Sequence, residues 1–326
     1  MSTQIAVIHQ SEPFAVLSQT FSPDQHPALV YLAGLGKGSR RTMKEALNTV
    51  AGMLTFGRAD LSTFPWSELR FSHTTAIRAA LMDRYRPSTA NKILAALRGV
   101  LKAAWRLGQM TGDDYRVAVD IQTIKAQTLP RGRALAAGEI AALMRSCAAD
   151  ASPAGVRDAA LIACLYGAGL RRSEAVSLDI SSHNAENGEL RITGAKGRKD
   201  RLGYATNGSA DALADWLAIR GGDAGPLFCP VNKAGKIVIR RMTDQSVLHI
   251  LRKRGAEAGV AAFSPHDLRR TFISDLLDAG ADISTVQQLA NHANVQTTVR
   301  YDRRGEVAKQ KAARLLHVPY KKCVTD

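Results

Sequence analysis

SPHDLRRTFISDLLDAGADISTVQQLANHANVQTTVRYDRR, residues 264–304, is the stretch on which the fold and the chemistry turn. Ser264 and Pro265 open a helix that the apolar spacing carries to about Gly280, because serine accepts from free N-terminal amides and proline fits the first helical position. His266 and Arg269, three apart, therefore share one face near a helix N-terminus, where backbone N–H groups favour anions. A capping-box pattern at Ser284 and Gln287 opens a second helix that runs to Ala290, and His292 follows it. Tyr301 stands nine residues after His292, with Arg300 before it and Arg303 and Arg304 behind. Taken singly, HxxR is a common surface pair and a tyrosine is a packing residue. What sets them apart here is their combination and order within one basic stretch.

Upstream, YGAGLRRSEAVSLD (166–179) ends one helix at glycine and begins another. Arg171 sits at that junction, and Glu174, three residues on, can orient its guanidinium, although such a pair alone is more often a structural ion pair. Between these segments, Glu189–Thr193 and Arg201–Ala205 alternate around the turn-rich GAKGRKD (194–200), which predicts a β-hairpin with a basic turn. Cleaving a phosphodiester without a metal takes a nucleophile, cations on the non-bridging oxygens and an acid for the leaving oxygen. Arginine suits the clamp because its planar fork binds phosphate through two hydrogen bonds and stays charged. No carboxylate cluster for Mg²⁺ and no P-loop is visible, so neither a metal nor a nucleotide cofactor is expected.

The 326 residues leave room for two domains. Lysine and arginine number 44 against 29 acidic residues, a net charge of +15, while 45% of the chain is hydrophobic, which excludes global disorder and points to polyanionic partners. Cys147, Cys164, Cys229 and Cys323 are too scattered for a zinc or iron–sulfur site and read as reduced packing residues. No secretory signal and no membrane span is visible, so a cytoplasmic, nucleoid-associated protein is expected. Residues 1–25 read as an N-terminal arm. Residues 26–120 read as a helical unit: a helix capped by Ser39 with a basic start (Arg40, Arg41, Lys44), another over His73–Arg86, and a third from Ser88 to about Gly108. The third carries Ile93, Leu94, Leu97, Val100, Leu101 and Trp105 inward and Lys92, Arg98 and Lys102 on its polar face. These six cations are candidate DNA contacts. Residues 121–133 read as a linker, and 134–326 as a second domain whose further helices cover Gly138–Cys147, Gly155–Leu165, Thr243–Gly259 and Glu306–Leu316.

Arg171 with Glu174, the basic hairpin turn, HDLRRTF, LANH and a tyrosine nine residues on resemble the tyrosine recombinase (phage-integrase-like) family over about residues 27–320. The resemblance implies a mainly α (α+β) fold: a SAM-like helical core-binding domain, then a mixed helical catalytic domain with a small antiparallel hairpin, the two closing around duplex DNA. It implies that Tyr301 attacks a DNA phosphate to leave a 3′-phosphotyrosine, that Arg171 and Arg269 hold the phosphate, that His266 is the general base and that His292 hydrogen-bonds the phosphate. Lys196 matches the family's hairpin lysine and would protonate the leaving 5′ oxygen, with Lys199 as its rival. Two positions depart from the family pattern: Asn291 stands where a helix-ending glycine is common, and Arg270 where a second histidine often follows. The expected function is site-specific recombination by a homotetramer on two DNA sites, in integration or excision of a mobile element. The alternatives are a type IB topoisomerase-like enzyme and a non-catalytic DNA-binding protein; no accessory protein is specified.

Overall fold

The computed structural model describes residues 22–125, 132–194, 200–302, 310, 313–317 and 319. The chain divides into two compact units, Met1–Leu129 and Pro130–Asp326. The expected arm over residues 1–25 lies almost wholly outside the described residues, as does most of the expected helix Glu306–Leu316.

The first unit is helical: α1 (Pro27–Ala33), α2 (Lys37–Thr55), α3 (Phe71–Arg84), α4 (Pro87–Arg106) and α5 (Gly112–Val119). In α4 proline takes the first helical position, and Ile93, Leu94, Leu97, Val100 and Leu101 line the buried face against Leu47, Val50 and Ile77. Trp105, expected inward, is 41% exposed instead and stacks on Tyr115 with ring centroids 5.0 Å apart, since α5 offers it a second aromatic ring outside the core. Ser39 caps nothing: α2 begins two residues earlier behind Gly36. Ile121 and Ile124 pack into this core, and the Asn91 amide bridges the backbone N–H and carbonyl of Ile124.

The second unit contains α6 (Ala137–Ala148), α7 (Pro153–Gly167), α8 (Arg172–Ser177), α9 (Gly208–Arg220), α10 (Asp244–Glu257), α11 (Pro265–Asp278), α12 (Ile283–Leu289) and α13 (Val295–Val299). A three-stranded antiparallel sheet, β1 (His183–Asn184), β2 (Glu189–Ile192) and β3 (Arg201–Tyr204), is ordered β1-β2-β3, with Leu190 opposite Gly203 and Ile192 opposite Arg201. The fold is thus mainly helical with a small antiparallel sheet. α7 is buried over most of its length, which is why its sequence reads as a nearly unbroken apolar run. Asp158, buried within it, accepts from the buried Arg254 of α10 at 2.9 Å, locking the two helices together. Cys147, Cys164 and Cys229 are free and buried; burial pushes Cys147 up to about 11 and Cys164 to about 12, consistent with inert packing residues. Among the described residues no helix is long and apolar enough to cross a membrane, and no group of three or more His, Cys, Asp or Glu side chains is placed to hold a metal ion.

Candidate active site

Four backbone breaks bring the predicted residues together. α7 ends at Gly167, and the turn that follows puts Gly169 at φ 57° before Arg171 caps α8. Glu174, buried, returns to accept from the Arg171 backbone N–H at 2.9 Å and from its guanidinium at 2.5 Å. α11 starts behind Ser264, whose N–H and hydroxyl both donate to Asp267 at 2.9 Å, so Asp267 caps the helix and His266 is left facing outward. α12 is capped by Asp282, which accepts from Thr285 N–H at 2.8 Å; the expected cap at Ser284 lies inside the helix. The helix stops because Asn291 turns to φ 45°, a left-handed conformation asparagine tolerates better than most residues.

That stop creates the centre of the site. The last carbonyls of a helix lack intrahelical partners and carry the negative end of its dipole. Here three successive ones take guanidinium donors: Leu289 O from Arg201 at 2.8 Å, Ala290 O from Arg269, and Asn291 O from Arg171 at 3.3 Å. Arg269, 1% exposed, also donates to Gly169 O, so its fork spans both turns. Arg201 donates to Glu174 at 2.7 Å as well. Counting these four groups, three guanidiniums meet one carboxylate and leave two positive charges in excess. Burial, then the neighbouring Arg171 and Arg201, push Arg269 down to about 9, the mark of a cation crowded by like charge and short of an anion. Burial would raise the Glu174 carboxyl, but Arg201 and then Arg171 outweigh it and hold the group below its ordinary value.

Arg171, Arg269 and His266 line an open cleft of about 560 Å³, together with Arg172, Leu248 and Arg252. The Tyr301 hydroxyl lies 3.4 Å from His266 Nε2, and the residue packs against the small apolar cluster that Phe272, Ile273, Leu277, Val286 and Ala290 form. Arg270 sits over that ring, 5.2 Å from its centroid, a cation–π contact that gives this residue a structural place. Partial burial against its neighbours, then Arg269 and Arg270 beside it, lower the His266 pKa, which favours the neutral imidazole that can accept a proton. His292 is hydrogen-bonded through Nδ1 to the Thr298 hydroxyl at 2.9 Å, and burial, then Arg269 and Arg171, push it down to about 4. The phenol, both imidazoles and the arginine clamp thus form one constellation. Lys196 and its rival Lys199 lie outside the described residues; on either side of them, Gly194 N–H donates to Asp200 at 3.0 Å.

Residues 133–306, more than half of the chain, match the phage integrase family. The chain belongs to that family. A tyrosine recombinase XerC of Pelobacter propionicus is 34% identical over 228 residues, covering 68% of this chain and 71% of that protein. A tyrosine recombinase XerC of Alcanivorax borkumensis is 29% identical over 270 residues, 80% of this chain and 84% of that one. In fold, the Tn1549 transposon integrase in complex with transposon right end DNA aligns with a TM-score of 0.66 at 16% identity, covering 89% of this chain and 99% of the other. This phage integrase family member is a tyrosine-type site-specific DNA recombinase.

Among the described residues, the sequence reading misses Arg252 in the cleft, Thr298 beside His292 and, most consequentially, Arg201. Arg201, the first residue of β3, is buried and ties the strand to Glu174 and to the end of α12. Its place directly after the basic turn is the signal that could have found it. In the first unit, Lys44, Lys92 and Lys102 are exposed, and Arg41 pairs with Glu45 at 3.1 Å on the surface. Arg40 donates to Leu35 O and Ala33 O, at 2.8 and 3.0 Å, and Arg98 donates to Ile121 O, so both already serve the fold.

Proposed function

We propose that this recombinase cleaves and rejoins duplex DNA through a 3′-phosphotyrosyl bond at Tyr301, as a homotetramer on two DNA sites, in the integration or excision of a mobile element. The observation that carries the reading is the Tyr301 hydroxyl 3.4 Å from His266 Nε2, beside a cleft lined by Arg171, Arg269 and His266. Arg171 and Arg269 bind the non-bridging oxygens of the scissile phosphate, and their excess charge meets the charge that develops there. Tyr301 Oη attacks phosphorus as its proton passes to His266 Nε2, and the bond to the 5′ oxygen breaks. His292, held by Thr298, hydrogen-bonds the phosphate. Lys196 supplies the proton that leaves the departing strand with a 5′ hydroxyl. The phosphotyrosine keeps the energy of the broken bond, so a 5′ hydroxyl from the partner duplex reverses the step. The likeness of fold to a transposon integrase supports the mobile-element assignment, and the protein acts on nucleoid DNA in the cytoplasm.

The test is to incubate wild-type and Tyr301→Phe protein with DNA of its source in EDTA, denature in detergent and sequence the DNA still attached. Adducts with the wild type alone, at a few inverted-repeat sites bounding a mobile element, are expected. Dispersed adducts would assign a topoisomerase-like activity, and adducts retained by Tyr301→Phe would remove Tyr301 from its role.

A further inference from the structure

We infer that Arg201 is a positioning residue of the phosphate clamp: it serves as the counter-ion of Glu174, so that the charge of Arg171 remains available to the scissile phosphate. The inference rests on the cleavage chemistry proposed above. Glu174 is 4% exposed and holds Arg171 in place through both its backbone N–H and its guanidinium. A buried carboxylate used in this way carries a liability, because its charge cancels that of the arginine it orients. Arg201 removes the liability. It is 7% exposed, and its guanidinium donates to Glu174 Oε2 at 2.7 Å while Arg171 takes Oε1. The two carboxylate oxygens are thus divided between a guanidinium that lines the cleft and one that does not.

Arg201 also fixes where the clamp stands. Its second amino group donates to Leu289 O, next to the Ala290 and Asn291 carbonyls that receive Arg269 and Arg171. The three guanidiniums are spaced by three consecutive carbonyls of one helix end, and their mutual repulsion is offset by that end's negative dipole. Without Arg201, Glu174 and Arg171 close into a neutral pair and the site loses one of its two excess positive charges. Arg201 touches neither the cleft nor Tyr301, so its effect is exerted through Glu174 and the end of α12.

The test measures the rate of covalent adduct formation by wild type, Arg201→Gln, Arg201→Lys and the double variant Arg201→Gln/Glu174→Gln. The probe is a duplex bearing a cleavage site recovered by adduct sequencing, made with either an ordinary scissile phosphate or a neutral methylphosphonate there. Arg201→Gln is expected to lose about a hundredfold on the ordinary phosphate, the scale set by a small misplacement of catalytic groups. It is expected to lose much less on the methylphosphonate, which carries no charge to neutralise. Removing the Glu174 charge in the double variant restores part of the rate on the ordinary phosphate. Arg201→Lys, which keeps the charge, falls between wild type and Arg201→Gln; should Arg201→Gln fail to show a cooperative melt, the lysine variant carries the comparison on the two probes. Equal losses on both probes, or a wild-type rate in the variant, overturn the inference alone. A wild type that forms no adduct on any DNA overturns the cleavage chemistry and the inference with it.

Discussion

Arg269 makes contacts that only an arginine makes. One planar fork reaches Gly169 O on the turn after α7 and Ala290 O at the end of α12, and it still borders the cleft. Arg269→Lys keeps the charge but presents a single ammonium, which cannot span both carbonyls and a phosphate oxygen. Adduct formation by Arg269→Lys is therefore expected to fall by ~10²-fold or more, the usual loss for one oxyanion donor, with DNA binding in a filter assay little changed. His266 supports a second expectation at this scale. Its partial enclosure and the arginines around it lower its pKa from 6.5, so the neutral form that accepts the Tyr301 proton persists to lower pH than for a free histidine. The rate of adduct formation should be flat from pH 6.5 until Arg269 begins to lose its proton at about 9, and fall below 6.5. A rate that keeps climbing tenfold per unit between about pH 7 and pH 8.5 would assign the limiting proton to a group other than His266.

The turns between α7 and α8 and after α12 do for the site what no single side chain does. Gly169 has φ 57°, and a Cβ there would run into the Phe272 ring, so Gly169→Ala meets both backbone strain and a clash with α11. That substitution should cost about 1 to 3 kcal/mol in urea unfolding and slow cleavage, because Gly169 O is one of the acceptors that hold Arg269. Asn291 at φ 45° shows how local chemistry is legible in the chain: asparagine stands where a left-handed turn is needed, and the backbone takes it. Helices with a strong apolar period, such as α4 and α11, are equally plain. What cannot be read depends on tertiary partners. β3 points Arg201 and Gly203 inward and leaves Leu202 and Tyr204 41% exposed, the reverse of what alternation suggests, because the buried Glu174 lies 27 residues away in sequence. α9, rich in alanine with Leu213 and Trp216 as its main buried apolar anchors, carries too little contrast between its faces to stand out. Trp105 falls on the apolar period of α4 yet leaves the core, because its aromatic partner, Tyr115, lies on the next helix.

Across the whole molecule the net charge of +15 is the feature that binding to a polyanion must use. Only cations free to meet phosphate release counterions, so the salt dependence of binding counts them. The first unit separates the two kinds on one helix. On α4, Lys92 and Lys102 are exposed, whereas Arg98, half-buried, is engaged with Ile121 O, where it holds the end of the chain segment whose Ile121 and Ile124 complete the core. If α4 faces the duplex, Lys92→Ala/Lys102→Ala should weaken binding to any DNA sequence alike. It should also make the plot of log affinity against log salt shallower by about one for each phosphate that no longer meets a lysine. Arg98→Ala should instead lower stability by about 1 kcal/mol, the worth of one side-chain hydrogen bond, and leave the slope unchanged. Fluorescence anisotropy with random-sequence duplex at several salt concentrations, alongside urea melts of the same proteins, reads both quantities. A slope unmoved by loss of both lysines would take α4 off the DNA and assign the salt dependence to other cations, and a slope lowered by Arg98→Ala would mean that its guanidinium leaves Ile121 when DNA arrives.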